Sequence, residues 1–259
     1  MIDVDNLLIG ENFTVYNGDR YEVLPMEYIP EFDAHEFDLN DSDQIDKYIS
    51  AVEKCVRKSI EYQRYISYIR RYMNMNKCSY FENISNVDTS KIKIHIHHSP
   101  ITLYEIAATI LAKRQFYYEC TEVEATAKEV MYVHYCLLVG LIPLCETVHE
   151  LTHNGFIFIP NDKVMGRYDT FIKMYDQWIP PQVKEKIEKA NEYTRVYNNA
   201  IDNKILEPHY IYLDFQGTYN LPKMQDVITA MENRTQELRE NCFSMQNVKP
   251  RSIIEYIKQ

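Results

Sequence analysis

The clearest pattern of apolar and polar positions is a strict alternation over residues 91–98, which read Lys-Ile-Lys-Ile-His-Ile-His-His. Alternation with a period of two predicts a strand that buries one face. The isoleucines then share the buried face, and His95 and His97 lie on the opposite face. His98 ends the predicted strand just before Ser99-Pro100.

A second strand and a short helix are predicted further along the chain. The apolar run of residues 141–145, Leu-Ile-Pro-Leu-Cys, fits a buried strand. Glu146 or Thr147 then begins a helix that Asn154-Gly155 ends, because glycine readily adopts the left-handed conformation that closes helices. Residues 156–160 are predicted to resume as a strand.

Helical periodicity dominates the rest of the chain, so the predicted fold class is α+β and helix-rich. It includes a ββα-metal-like core, a long N-terminal helix and a helical C-terminal region. The further predicted helices cover residues 44–74, 103–116, 123–138, 182–200 and 221–241. The further predicted strands cover residues 13–16, 21–24 and 209–215, the first two joined by a hairpin turn at Asn17-Gly18-Asp19.

Three regions are predicted from this order of elements. Residues 1–87 combine an acidic segment with the long helix, residues 88–175 hold the core with a helical insertion, and residues 176–259 are mainly helical.

His149 and His153 stand four residues apart in the predicted short helix. Residues at this spacing share a helix face, so both imidazoles can reach one ion. His97 from the neighbouring strand would supply a third nitrogen ligand and leave a coordination position open for water or substrate. Imidazole ligands suit zinc, nickel or a similar ion. The sequence therefore predicts a site for one divalent transition metal ion.

The same helix contains the His-Glu-x-x-His pattern of zinc peptidases, in which the glutamate is the general base. The third-ligand motif of that class does not follow, because Gly155 comes too soon and position 159 is isoleucine. In the peptidase alternative Glu150 is the base; otherwise it is a solvated helix residue. A further alternative is that the histidines only pack or cap the helix.

The order of strand, strand and helix over residues 90–160 resembles the HNH (ββα-metal) endonuclease family. It is most similar to the branch with three histidine ligands found in bacterial DNase toxins. By that resemblance His98 is the catalytic general base, and His97, His149 and His153 hold the ion against the scissile phosphate. The implied function is hydrolysis of phosphodiester bonds in DNA, with His95 as a neighbour on the same strand face.

Two departures from the HNH pattern keep a non-catalytic alternative open. The asparagine that HNH enzymes carry nine residues before the first helix histidine is replaced by Gly140. A Cys-x-x-Cys zinc knuckle is also incomplete, because Val148 stands where the partner of Cys145 would be. The alternative is a non-catalytic protein with a degenerate core that binds another protein.

The segments from His97 to Tyr104 and from Gly140 to His153 are also similar to bacteriophage proteins. That resemblance implies a phage-encoded protein acting in the host bacterium. The non-catalytic alternative is then a phage protein with a degenerate core that binds a host or virion protein.

Charge is distributed unevenly along the chain. Residues 1–50 contain thirteen acidic and two basic residues, although the whole chain has a net charge of −10. Residues 54–77 instead contain seven basic residues and one acidic residue. A basic, tyrosine-studded helix could follow a DNA backbone. The candidate DNA contacts are Arg57, Lys58, Arg64, Arg70 and Arg71. The alternative is a tyrosine stripe packed on the core with a solvated basic face.

The six cysteines show no paired spacing, which fits reduced thiols in a cytoplasm better than a disulfide framework. The sequence also has no secretion signal and no apolar segment long enough to span a bilayer. These features predict a protein of the host bacterial cytoplasm without a membrane partner.

Overall fold

The computed structural model describes residues 13–16, 19–22, 26, 37–81, 84–85 and 93–205. These residues form a helix-rich α+β fold, as predicted. The elements in chain order are β1 (Phe13–Tyr16), β2 (Asp19–Glu22), α1 (Ser42–Lys58), α2 (Ile60–Tyr72), β3 (Ile94–His98), α3 (Leu103–Phe116), α4 (Val123–Tyr135), β4 (Leu141–Cys145), α5 (Glu146–His153), α6 (Tyr168–Tyr175) and α7 (Pro181–Asp202).

Helices α1, α3 and α4 pack against one another, and α2 contacts α1 and α4. Their apolar faces form one buried cluster that includes Val52, Ile69, Ile110 and Val130. Burying these side chains is the main driving force for assembling the helices, at roughly 1.5–3 kcal/mol for each large aliphatic side chain. Residues of α6 and α7 join the same cluster.

The structure differs from the prediction of one helix over residues 44–74. Helix α1 ends at Lys58, and α2 begins at Ile60. The Ser59 hydroxyl accepts a hydrogen bond from the Tyr62 amide at 3.2 Å and donates one to the Val56 carbonyl at 2.7 Å. Ser59 has extended backbone angles, so it acts as the N-cap of a new helix.

Strands β3 and β4 form an antiparallel pair in which His97 lies opposite Ile142. Helix α5 follows β4 directly, and it contacts both strands. The hairpin of α3 and α4 joins the two strands, and the Ser99 amide donates to the Gly140 carbonyl at 3.0 Å where the hairpin ends meet. A second, smaller apolar cluster lies beneath the strands and α5, and it includes Ile94, Leu144 and Val148.

Other predicted elements have mixed outcomes. The two N-terminal strands are present and pair antiparallel, although β2 begins two residues earlier than predicted. Residues 156–160 do not form a strand. Leu141 of β4 forms an isolated antiparallel bridge with Met165, so a segment after residues 156–160 lies beside this strand. The strand predicted at 209–215 and the helix predicted at 221–241 lie outside the described residues.

Candidate metal centre

Three histidines from β3 and α5 converge at the surface of the ββα unit. His97 belongs to β3, and His149 and His153 belong to α5. One nitrogen from each ring lies within 4.8 Å of the corresponding nitrogens of the other two. His97 and His149 are half-buried, and His153 is exposed. Strand alternation therefore places His97 on the side of β3 that faces α5. The four-residue spacing places His149 and His153 on one face of α5.

The geometry of the helix pair fits a shared ion. The Nε2 atoms of His149 and His153 lie 3.1 Å apart. Two nitrogens bound to one tetrahedral ion at about 2.0–2.1 Å lie roughly 3.3 Å from each other. The two rings are nearly perpendicular, at 78°. Small side-chain rotations would bring both lone pairs onto one ion.

Burial favours the neutral form of two candidate ligands, His97 and His149. Burial lowers the pKa of His97 to about 4, and the neighbouring His153 acts on it in the same direction. Burial and the adjacent imidazoles lower the pKa of His149 to about 3. A neutral imidazole has the lone pair that metal binding requires. These two side chains are therefore free of competing protons near pH 7.

His95 is a fourth histidine on the same face of β3. Its ring stacks on His149 with a centroid separation of 4.7 Å and an interplanar angle of 16°. Burial lowers its pKa. Its Nε2 atom is buried and has no hydrogen-bond partner among the described residues. His95 therefore lines the site without belonging to the group of three nitrogens.

The structure does not bring His98 together with the three candidate ligands. Consecutive strand residues point to opposite faces, and the His98 side chain is buried on the helical side. Its Nε2 lies 2.9 Å from the Nε2 of His134 in α4. The Nδ1 of His134 lies 2.7 Å from the Val130 carbonyl. The general-base position that the HNH resemblance gives to His98 is therefore not reproduced by this arrangement.

The tautomers of this buried pair follow from its partners. A carbonyl only accepts, so His134 Nδ1 carries the proton, and the neutral ring has an accepting Nε2. His98 Nε2 must then be the donor. Burial lowers the pKa of both rings, to about 4 for His134. Sequence spacing gave no sign of this pairing, because His134 lies in an apolar helix far from His98 in the chain.

Gly140 is required by packing where the HNH family has asparagine. A Cβ atom built at this position would overlap the Ser99 backbone oxygen and approach Val164. The strand ends can meet only because position 140 has no side chain. Glu150, the base of the peptidase alternative, is exposed on α5 and is not part of the nitrogen cluster.

The five predicted DNA contacts do not form one exposed basic surface. Lys58 and Arg64 are buried, and the Arg70 guanidinium donates to the Ile94 carbonyl at 2.8 Å. Arg57 is partly buried and lies 3.9 Å from Glu53. Arg71 is exposed. The buried residues of α2 include Tyr62, Tyr65 and Tyr68. The tyrosines of α2 therefore pack on the core, as in the alternative to the DNA-binding interpretation.

Comparison with known proteins gives one family. The model of the bacteriophage G278-like virion protein family matches residues 2–218, which is most of the chain. The chain belongs to this family, which confirms the predicted phage origin. No curated protein matches, and no solved structure matches. Among the residues that the structure describes, no helix combines the length and apolar character needed to cross a lipid bilayer.

Proposed function

We propose that this phage protein binds one divalent transition metal ion through His97, His149 and His153. The observation that carries the proposal is the convergence of three imidazole nitrogens within 4.8 Å of one another, from a strand and a helix. The lowered pKa values of His97 and His149 support it, because they leave neutral rings at neutral pH. Zinc and nickel are the best candidates for an all-imidazole site.

Elemental analysis of the purified full chain tests this proposal. After loading with zinc or nickel and removal of excess ion, we expect about one ion per chain, the stoichiometry of a mononuclear site. The double variant His149→Ala/His153→Ala should lose that ion. The matched control is His95→Phe, which keeps an aromatic ring against His149 but removes the nitrogens. Wild-type protein that binds no ion after loading would contradict the proposal, as would equal loss of metal in the control.

DNA hydrolysis is a second candidate function, and one observation favours it. Three ligands on one side of an ion leave a position open for water or a phosphate oxygen. His95, rather than His98, is the remaining histidine on this side, and its buried Nε2 has no partner among the described residues. The position of His98 and the packing at Gly140 argue against an HNH mechanism of the usual form.

A plasmid-cleavage assay with magnesium, manganese, nickel and zinc separates these possibilities. A nuclease that uses this site should lose cleavage in His149→Ala/His153→Ala and in His95→Phe. Cleavage lost in His98→Gln but retained in His95→Phe would instead support the base implied by the HNH resemblance. Absence of cleavage with every ion would reject DNA hydrolysis and leave the metal proposal standing on the elemental analysis.

We also propose that the chain is a component of the phage particle, where it contacts another virion protein. The family to which it belongs supports this location over the host cytoplasm. Mass spectrometry of purified particles should detect the chain at a constant ratio to the major structural proteins. Detection only in the lysate of infected cells, and not in washed particles, would contradict this location.

A further inference from the structure

Two buried cysteines that are distant in sequence meet beneath the ββα unit. Cys145 ends β4, and Cys78 lies in the segment after α2. The Cys145 amide donates a hydrogen bond to the Cys78 sulfur at 3.3 Å. Because an amide nitrogen lies two bonds from the Cβ of its own residue, the Cys78 sulfur is next to the Cys145 side chain.

Backbone hydrogen bonds hold the Cys78 segment beside β4. The Ser79 amide donates to the Pro143 carbonyl at 2.9 Å, and the Cys78 amide donates to the Ile84 carbonyl at 2.8 Å. The Tyr80 hydroxyl donates to the Phe158 carbonyl at 2.9 Å. The position of Cys78 beside β4 is thus fixed by contacts that do not involve sulfur.

We propose that Cys78 and Cys145 are a modification site that takes a small-molecule disulfide as oxidant and forms an intramolecular disulfide bond. Disulfides require side chains that already face each other, with Cβ atoms about 3.8 Å apart, and this pair meets in the reduced fold. This step rests on the proposed location in the phage particle, since a virion protein is made in a reducing cytoplasm and then leaves the cell. The surroundings outside the cell are oxidising and preserve disulfides.

The reaction is a thiol–disulfide exchange in two steps. Cys145 is the more exposed residue of the two, at 6% against 1% for Cys78. Its thiolate attacks one sulfur of oxidised glutathione, forms a mixed disulfide and releases one glutathione thiol. The Cys78 thiol then loses its proton and attacks the Cys145 sulfur, which releases the second glutathione thiol. Two protein thiols are oxidised, and one glutathione disulfide is reduced.

The resulting bond would join the segment after α2 to the residue that precedes α5. Cys78, Cys145 and Val148 belong to the same small apolar cluster, so the bond would form inside a packed region. It would close a long chain segment, which restricts the unfolded ensemble more than a short one does. The bond does not involve the three candidate metal ligands, so this inference is independent of the proposed metal site.

Peptide mapping of the full chain tests the proposal. The purified protein is incubated with oxidised glutathione, its remaining thiols are alkylated in denaturant, and it is digested without reductant. We expect a cross-linked peptide that contains Cys78 and Cys145, and a rise in the thermal unfolding midpoint that dithiothreitol reverses. The variant Cys78→Ala should lose both effects. The control Cys120→Ala, which changes an exposed cysteine, should keep both.

Alkylation of both Cys78 and Cys145 after oxidation would overturn the proposal. Cross-links of either residue to Cys55, Cys120, Cys136 or Cys242 in place of the pair would overturn it as well. The wild-type map decides the question even if the Cys78→Ala variant fails to fold.

Discussion

The neighbours His97 and His98 have opposite environments because adjacent side chains in a strand point to opposite faces. His97 faces α5 and the two helix histidines. His98 faces α4 and stacks edge-on with His134. The sequence alternation correctly predicts the face of His95 and His97. The same alternation places His98 on the isoleucine face. The catalytic role predicted for His98 came only from the resemblance to HNH enzymes.

Acid should destabilise the metal-free protein, and the His98–His134 pair contributes together with His97 and His149, whose pKa values are also lowered. The folded-state pKa of His134 is about 4, below the unfolded value of about 6.5. The unfolded state therefore binds more protons between these values, and stability falls as pH decreases from about 6.5 to 4. For His134 alone the loss is about 3 kcal/mol at most. Urea unfolding at several pH values measures it.

The double variant His98→Leu/His134→Phe is the control for that pH dependence. It removes both titrating groups together, so no buried donor is left without its acceptor. Its free energy of unfolding should vary less between pH 6.5 and 4 than that of the wild type. An equally steep decline in the variant would assign the effect to other groups.

Replacing Gly140 with the asparagine of HNH enzymes should destabilise the fold. The new Cβ would overlap the Ser99 backbone oxygen, and the backbone next to the strand ends cannot move aside without breaking the Ser99–Gly140 hydrogen bond. We expect a loss of at least about 2 kcal/mol in the free energy of unfolding, comparable to overpacking a core.

The matched control is the same substitution at Gly155. That glycine has a φ of +73°, and a Cβ added to it would meet no atom within 4 Å. Asparagine also tolerates the left-handed region, so we expect a change below about 1 kcal/mol. Similar losses for Gly140→Asn and Gly155→Asn in urea unfolding would show that close packing at position 140 is not the cause.

Individual elements were predictable where local signals agree with packing. Helix α3 has the predicted bounds because Thr102 and Glu105 form a capping box at its start. The end of α1 was missed, because the apolar periodicity continues through Ser59 without a glycine or proline. The break depends on a buried hydroxyl between two helices, which a one-dimensional pattern does not reveal.

Ser59→Ala should weaken the junction of α1 and α2. It removes one hydrogen bond that the hydroxyl accepts and one that it donates, so we expect a loss of about 1–2 kcal/mol in the free energy of unfolding. The control is Ser50→Ala, because Ser50 is exposed within α1 and alanine is the better helix former. A loss for Ser59→Ala no larger than that for Ser50→Ala would contradict the capping role.

On the scale of the whole molecule, the sequence predicted which histidines converge but not which cysteines do. His149 and His153 share a helix, and His97 lies in a recognisable strand. Cys78 and Cys145 lie close together only in the folded chain, because the segment that follows α2 packs beside β4. The absence of paired spacing predicted reduced thiols and did not reveal this contact, because spacing describes only neighbours in the chain. The three predicted regions remain a prediction.

A bound ion should stabilise the whole fold, since its ligands come from elements distant in the chain. Binding only to the folded state at a free ion concentration of 100 times Kd adds about 2.7 kcal/mol to the free energy of unfolding. We expect zinc or nickel to raise the thermal unfolding midpoint, and a chelator to reverse the shift. The variant His149→Ala/His153→Ala should show no shift. An equal rise in that variant would mean that the ion acts elsewhere.

The helical hairpin between β3 and β4 has a kinetic consequence. Residues 99–140 must close into a loop before the two strands can pair. Closing this loop costs chain entropy before any contact between the strands can offset that cost. We therefore expect helices α3 and α4 to form and dock first and the three histidines to meet late on the folding path. Contacts made after the transition state slow unfolding more than they accelerate folding. A bound metal should accordingly slow unfolding more than it accelerates folding, and so prolong the lifetime of the native state.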